Sequence, residues 1–265
     1  LERNEVEVRY QPIYDLRTMK PTGVEALARW THPELGDISP SRFIPLAEET
    51  GLIDAVLDQV MRRACLEMRE VYSHAPNGSQ LKLSVNLSCR QFAGADLLSR
   101  ICNILEETGY AASQLKLEIT ESVLIEYQER AIEMLHKIRE MGIELDIDDF
   151  GTGYSNLSYL VRLPISTLKI DRSFVCPIND DGANIEIVRT ILALARNLGL
   201  TVVAEGIETE EQVKSLIDLD CERGQGFLLS KPLTAAGLKE LLERDDETPM
   251  PPMHYDDVST LSTLQ

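Results

Sequence analysis

Short apolar or alternating runs recur along the chain at a spacing that few folds accommodate. Eight runs are predicted strands, at residues 7–13, 24–30, 81–87, 115–120, 143–149, 167–171, 201–206 and 225–229. From the third run onward, successive starts lie 24 to 34 residues apart, the length of one strand plus one helix. Helical periodicity fills most of the gaps, at residues 53–72, 126–141, 184–198 and 208–219. In the 184–198 run the spacing assigns Ile187, Ile191, Leu194 and Leu198 to one apolar face, and Gly199 is the predicted stop. The chain is therefore predicted to be an α/β protein, a (β/α)8 TIM-like barrel.

The first two predicted strands are joined differently. About ten residues around Pro21-Thr22-Gly23 connect them, which is too few for a helical crossover. We therefore expect strand 1 to run antiparallel to the rest. The barrel is predicted to occupy residues 1–244 as one domain. Residues 245–265 are polar, proline-bearing and aperiodic, so they are predicted to form a mobile C-terminal tail.

Charge and cysteine usage narrow the class of function. The net charge is −18, which argues against non-specific binding to DNA, RNA or an anionic membrane, but is compatible with a small anion held by metal ions. Five cysteines without a C-x-x-C pair favour a reducing, cytoplasmic location. No apolar run is long enough for a membrane span. Because the chain begins with Leu1, we expect a segment of a longer protein, either free in the cytoplasm or the cytoplasmic domain of a membrane-anchored parent.

Polar and apolar residues alternate within the predicted strands. In residues 115–120, for example, Lys116 and Glu118 oppose Leu117 and Ile119. An antiparallel sheet with one wet face would show the same pattern. The intervening helices favour a parallel sheet instead, with the polar residues facing the barrel interior. Charges buried there must pair, and lysines 82, 116 and 169 are available for that.

Acidic and amide side chains lie near the C-terminal ends of several predicted strands. Asp148 ends one strand, and Glu25, Asn86 and Glu118 lie near the ends of theirs. Such barrels carry their catalytic groups at these ends. Converging carboxylates repel unless a hard cation joins them, and oxygen-only ligation suits Mg²⁺ or Mn²⁺. Asp149, the next residue, could hold a second ion.

Three features of this region are weak evidence for a metal site when each is taken alone. An Asp-Asp-x-Gly turn is commonly a solvated turn or a helix cap. Lys169 alone is more readily interpreted as an interior ion-pair partner of Asp146 or Asp171. Glu205 ends a strand, but its parity is that of Val203, which does not match the interior face.

Nine stretches, taken in order, resemble the EAL-domain family of cyclic di-GMP phosphodiesterases. They are YQPIYDL (10–16), EALARW (25–30), FIPLAEETGLI (43–53), VNLSCRQF (85–92), LEITES (117–122), DIDDFGTGYSNLSYL (146–160), LKIDRSFV (168–175), AEGIET (204–209) and GQGFLLSKPL (224–233). The signature tripeptide is intact at Glu25-Ala26-Leu27. The departures are mild: Ala28 replaces a larger aliphatic residue, and Phe227 stands where Tyr is frequent.

The resemblance implies hydrolysis of cyclic di-GMP to linear pGpG with two Mg²⁺ or Mn²⁺ ions per site. It implies a first-metal ligand set of Glu25, Asn86, Glu118 and Asp148. The second ion would be held by Asp148, Asp149 and Glu205. Lys169 would position the attacking water or balance charge on the phosphate. Catalytic roles would fall to Lys169, Glu205, Asp149 and Glu121.

The same resemblance assigns the remaining contacts. Glu121 and Glu208 would support the loops and the metal ligands. Nucleotide contacts are expected from Gln11, Leu27, Arg29, Asn86, Glu208 and Gln225. The alternative is a catalytically silent barrel that binds cyclic di-GMP and signals to a partner protein.

Further expectations concern ions and partners. Ca²⁺ is expected to bind without supporting catalysis. A homodimer is expected through the Phe150–Leu160 loop and the helix after it. Apolar surface at the mouth of the barrel is expected from Tyr154, Leu157, Tyr159 and Leu160. Sensory or cyclase-like domains are expected N-terminal to this chain in the parent protein.

Overall fold

The computed structural model describes residues 5–74, 81–94, 96–153, 160–179 and 182–247. The strands within these residues are β1 Val6–Asp15, β2 Pro21–His32, β3 Gly36–Ile38, β4 Lys82–Leu87, β5 Leu115–Thr120, β6 Glu144–Phe150, β7 Thr167–Ile170, β8 Thr201–Ala204 and β9 Arg223–Gly224. The α-helices are α1 Pro40–Glu49, α2 Ile53–His74, α3 Cys89–Ala93, α4 Leu97–Thr108, α5 Glu121–Glu140, α6 Arg172–Val175, α7 Gly182–Leu198, α8 Glu210–Asp218 and α9 Ala235–Glu247.

Eight of the strands close into a barrel, as the sequence predicts. From β2 the parallel neighbours follow in the order β4, β5, β6, β7, β8 and β9. Strand β1 closes the circle by pairing antiparallel with both β2 and β9. The short β3, which was not predicted, only extends β2 as an antiparallel hairpin.

The last barrel strand lies earlier than predicted. Residues 225–229 were predicted as the strand, but β9 covers Arg223–Gly224 and the chain then turns. A Cβ on Gly226 would lie 2.1 Å from the carbonyl oxygen of Ile207, so the backbone here is packed against the chain after β8. Phe227 and Leu228 are 59% and 40% exposed. Their apolar character therefore marks a surface turn and not a buried strand.

Helix α7 shows how the outer layer packs. It ends at Leu198, and Gly199 follows with a φ of +69°, the left-handed conformation that the predicted glycine stop requires. The buried face comprises Val188, Ile191, Leu192 and Ala195. Ile187, which the spacing assigns to the apolar face, is 39% exposed. The observed face is thus rotated slightly from the predicted one.

The barrel interior is lined by charged residues, as the strand parity predicts. Lys116 Nζ lies 3.0 Å from Asp146 Oδ2 and also donates to Thr167. The expectation that Lys169 pairs with Asp146 or Asp171 is therefore wrong. Asp146 forms its ion pair with Lys116 instead. Asp171 caps α6 by accepting a hydrogen bond from Ser173 N at 3.0 Å.

Some expectations fall on residues that the structure does not describe. Tyr154, Leu157 and Tyr159 of the expected dimer segment lie outside the described residues, as do residues 248–265 of the expected tail. Leu160 is described and is buried in the core of its own chain, so its assignment to an apolar surface is corrected. Helix α9 extends to Glu247. Within the described ranges, no helix has both the length and the apolar character that a bilayer crossing needs.

Candidate active site

The carboxyl ends of the parallel strands bring the predicted ligands together. Glu25 lies on β2, Asn86 on β4, Glu118 on β5 and Asp148 on β6. Glu205 directly follows β8, which ends at Ala204. Because it lies beyond the strand, the alternation rule does not apply to it, and this resolves the parity mismatch.

Lys169 on β7 is the centre of this group. Its ammonium nitrogen lies 2.7 Å from carboxylate oxygens of both Glu118 and Glu205, 3.2 Å from Asp148 and 3.5 Å from Glu25. The side chain is only 1% exposed. One buried positive charge thus faces four carboxylates. Burial alone would lower the pKa of Lys169, but the surrounding acids raise it well above its usual value.

Glu25 is held on both of its oxygens. Asn86 Nδ2 donates to Oε1 at 2.7 Å, and Gln225 Nε2 donates to Oε2 at 2.8 Å. Burial would raise the pKa of this carboxyl, but Lys169 and the two amide donors lower it below its usual value. Glu25 is therefore held as an oriented carboxylate, the form that ligates a cation.

A break in β6 directs two consecutive aspartates into the site. The pairing of β6 with β7 shifts register between Ile147 and Phe150, and Asp149 has a φ of +53°. A regular strand would send neighbouring side chains to opposite faces. Here single carboxylate oxygens of Asp148, Asp149 and Glu205 all lie within 4.8 Å of one another.

Three acids of the cluster, Glu118, Asp149 and Glu205, have pKa values above their usual range. Burial, reinforced by Asp148 and Glu25 against the opposing effect of Lys169, raises the pKa of Glu205 to about 8. Burial and the neighbouring Asp148 raise the pKa of Asp149 to about 6. Burial also raises the pKa of Glu118 well above its usual value, more than Lys169 offsets. Within the described residues, Lys169 thus does not supply enough positive charge for this cluster.

These residues fit a divalent cation. Glu118 Oε1 is buried and has no hydrogen-bond partner, although its other oxygen contacts Lys169. A buried oxygen without a partner is costly unless a ligand satisfies it. The donors are carboxylate and amide oxygens, the set that Mg²⁺ and Mn²⁺ prefer.

Glu121 is separate from the carboxylate cluster. It is buried at the start of α5, and its Oε2 accepts hydrogen bonds from the backbone nitrogens of Gly151 and Gly153, both at 3.3 Å. A Cβ on Gly153 would lie 2.9 Å from the carboxyl group of Glu121. The geometry therefore supports a role in holding the loop after Asp149, as expected, and gives Glu121 no place among the clustered ligands.

A cavity of about 250 Å³ opens above the cluster. Of the expected nucleotide contacts, Gln11, Leu27, Glu208 and Gln225 line it, together with Glu25, Asp148 and Glu205. Gln11 Nε2 also donates to Ser230 O at 3.2 Å.

Arg29 and Asn86 line a second cavity of about 320 Å³, which shares Leu27 with the first. Arg29 Nη1 donates to Ala28 O at 2.8 Å. The two expected contacts are therefore adjacent to the first cavity but are not grouped with the others. Their contact with a nucleotide stays a prediction.

Four lining residues received no role from the sequence. They are Arg172, Gly206, Gly226 and Phe227. Arg172 lies three residues after Lys169 within a motif that was recognised, but strand parity cannot orient it because β7 ends at Ile170 and α6 begins at Arg172. The close backbone approaches of the two glycines depend on the tertiary structure. Phe227 was noted only as a departure from the family pattern.

Comparison with known proteins identifies the family. The model of the EAL domain family matches residues 1–232. The chain therefore belongs to the EAL domain family, as its sequence motifs indicate.

Two curated relatives from Pseudomonas aeruginosa are similar to nearly the whole chain. The cyclic di-GMP phosphodiesterase NbdA is 42% identical over 253 residues, which cover 96% of this chain and 32% of NbdA. The bifunctional diguanylate cyclase/cyclic di-GMP phosphodiesterase MucR is 44% identical over 240 residues, covering 90% of this chain and 34% of MucR. The chain thus spans about a third of the length of these relatives.

The fold is also similar to that of a solved structure. The PaMucR phosphodiesterase in its c-di-GMP complex superposes with a TM-score of 0.85 at 43% identity. The match covers 89% of this chain and 95% of that one.

Proposed function

We propose that this chain hydrolyses cyclic di-GMP to linear pGpG, in a metal-dependent reaction that serves bacterial second-messenger signalling. The observation that carries the proposal is the convergence of four carboxylates on Lys169 beneath a cavity at the carboxyl ends of the strands. Family membership and the names of NbdA and MucR support it.

Two Mg²⁺ or Mn²⁺ ions are proposed for the site. The first would be held by Glu25, Asn86, Glu118 and Asp148, and the second by Asp148, Asp149 and Glu205. When bound, such ions neutralise phosphate oxygens and lower the pKa of a water molecule. The buried, unpartnered oxygen of Glu118 and the raised pKa values of the cluster support a missing positive charge at this point.

The chain's own residues then have separate tasks. Lys169 restrains the carboxylates and counters negative charge near the reacting phosphate. Asn86 and Gln225 orient Glu25, and Glu121 fixes the loop that follows Asp149. Gln11, Leu27, Arg29, Glu208 and Gln225 are proposed to contact the nucleotide.

The setting of this activity is also a proposal. The curated relatives are about three times as long as the chain, which supports further domains in the parent protein. We propose that these are sensory or cyclase-like domains N-terminal to this chain. We propose a homodimer through the segment 150–160 and a cytoplasmic location, either as a free protein or as part of a membrane-anchored one.

The test is incubation of the purified protein with cyclic di-GMP and Mg²⁺, with the products separated by chromatography. Linear pGpG should form, and EDTA should abolish it. Glu25→Gln should lower turnover by at least about 100-fold, because a metal ligand contributes several kcal/mol to charge stabilisation. The matched control is Glu144→Gln, because Glu144 pairs with Lys82 at 2.9 Å and does not line the cavity.

The outcomes separate the two candidate functions. Binding of cyclic di-GMP without any product would refute the enzyme and support the silent receptor. Equal turnover by the Glu25 and Glu144 variants would refute the ligand assignment.

A further inference from the structure

Arg172 is placed at the cavity by a close approach of two chain segments. It is the first residue of α6, directly after the strand that carries Lys169. Gly206, which follows Glu205, has a φ of +71°, and a Cβ there would lie 2.5 Å from the Cβ of Arg172. The absence of a side chain at Gly206 therefore allows Arg172 to lie beside Glu205 at the cavity wall.

The positive charge of Arg172 is uncommitted within the described part of the chain. None of the hydrogen bonds or ion pairs found there involves its guanidinium group, and the residue is exposed. Lys169, by contrast, is surrounded by four carboxylates, and Arg29 donates to a backbone carbonyl. Among the described residues that line the 250 Å³ cavity, Arg172 is the one cation, and it accompanies Glu25, Asp148, Glu205 and Glu208.

A cyclic dinucleotide brings two phosphodiester groups to this cavity. The carboxylate cluster and its ions would engage the one that is cut. The other must enter among acidic side chains, and a guanidinium group suits it because its planar fork can donate two parallel hydrogen bonds to phosphate oxygens. We infer, resting on the proposed function, that Arg172 binds the phosphodiester that is not hydrolysed.

This role predicts a particular kinetic signature. The charge on the unreacting phosphate does not change during the reaction, so the contact stabilises substrate and transition state equally, and its loss raises KM more than it lowers kcat. For Arg172→Gln we expect KM to rise about 10- to 100-fold, the factor that corresponds to one charge-assisted hydrogen bond. Arg172→Lys, which keeps the charge but loses the fork, should fall between wild type and Arg172→Gln.

The experiment is steady-state hydrolysis of cyclic di-GMP with Mg²⁺ at several NaCl concentrations. The KM of wild type should rise more steeply with salt than that of Arg172→Gln, because the interaction is ionic. Arg189→Gln is the matched control: Arg189 is an exposed residue of α7 that pairs with Glu186 at 3.3 Å. Melting temperatures check that every variant is folded.

The outcomes distinguish this inference from the function on which it rests. An active wild type with an unchanged KM in Arg172→Gln overturns the inference alone. A fall in kcat without a rise in KM also overturns it, because Arg172 would then act on the reacting phosphate. Identical behaviour of the Lys and Gln variants excludes a charge-based contact. A wild type that neither binds nor cleaves cyclic di-GMP refutes the proposed function and the inference together.

Discussion

Replacement of Lys169 by methionine should destabilise the metal-free protein strongly. The lysine is 1% exposed, and its ammonium group contacts four carboxylates at 2.7 to 3.5 Å. Methionine fills a similar volume but leaves these acids without their counter-charge. Removal of one partner from a buried ion pair typically costs about 3–5 kcal/mol.

The melting temperature measures how much stability Lys169→Met loses, and the response to Mg²⁺ tests whether the loss comes from the uncompensated carboxylates. Glu118 and Glu205 have raised pKa values, so in the variant they can take up protons and reduce the repulsion between the carboxylates. We therefore expect a loss of stability at the lower end of this range, about 3 kcal/mol. For a domain of this size that corresponds to a fall of roughly 6–12 °C in EDTA. Mg²⁺ should recover a large part of it, because the ion supplies positive charge to the same oxygens.

Lys116→Met is the matched control. Lys116 is also buried and pairs with Asp146 at 3.0 Å inside the barrel, but it does not line the cavity. Lys116→Met should melt at a lower temperature than wild type both in EDTA and in the presence of Mg²⁺. The reasoning fails if Lys169→Met melts within about 2 °C of wild type in EDTA, or if Mg²⁺ stabilises both variants equally.

Three further predictions follow from the same geometry. The folded-state pKa of Glu205, about 8, lies above its usual 4.5, so between these values the folded state binds one proton more than the unfolded state. In EDTA, the free energy of unfolding should therefore fall as pH rises from about 5 to 8.5. Glu205→Gln should flatten this pH dependence in thermal melts. Gly206→Ala should cost about 1–3 kcal/mol in chemical denaturation and more than Gly199→Ala, because both glycines have positive φ but only Gly206 packs against Arg172. Ca²⁺ should support nucleotide binding in titration calorimetry without product formation, because it prefers six to eight ligands at about 2.3–2.6 Å where Mg²⁺ takes six at about 2.0–2.1 Å; comparable turnover with both ions would contradict this.

The parallel part of the barrel was predictable because its rules are local. Regular strand spacing and two-residue alternation correctly assign Glu25, Glu118 and Lys169 to the interior. The same rules failed where regular strands stop. Glu205 lies one residue beyond β8, and Asp149 lies at the register shift of β6 with a positive φ. Strand alternation therefore could not predict the direction of either side chain.

The partners of Lys169 were not predictable from the sequence. Lys116, Lys169 and Asp146 share the interior face, and parity alone cannot say which lysine contacts the aspartate. Strand register decides it: Lys116 lies opposite Glu144 in the register of β5 and β6, whereas Lys169 lies opposite Val203, one residue before the end of β8. A shift of two residues along a strand moves a side chain by about 7 Å, which separates a structural ion pair from the centre of the site.

The irregular side of the barrel gives the site its asymmetry. Because β1 runs antiparallel, Gln11 lies directly across from Glu25 in the register of β1 and β2. Because β9 stops after Gly224, Gln225 is free to donate to Glu25 from 200 positions away in sequence, and the turn that follows brings Phe227 to the cavity. The parallel strands supply the clustered acids, whereas two of the proposed nucleotide contacts, Gln11 and Gln225, come from the antiparallel strand and from the end of the short last strand. A regular barrel would bring the acids together but would lack the amides of Gln11 and Gln225 beside Glu25. We therefore propose that the departures from eightfold regularity adapt the carboxylate cluster to its substrate.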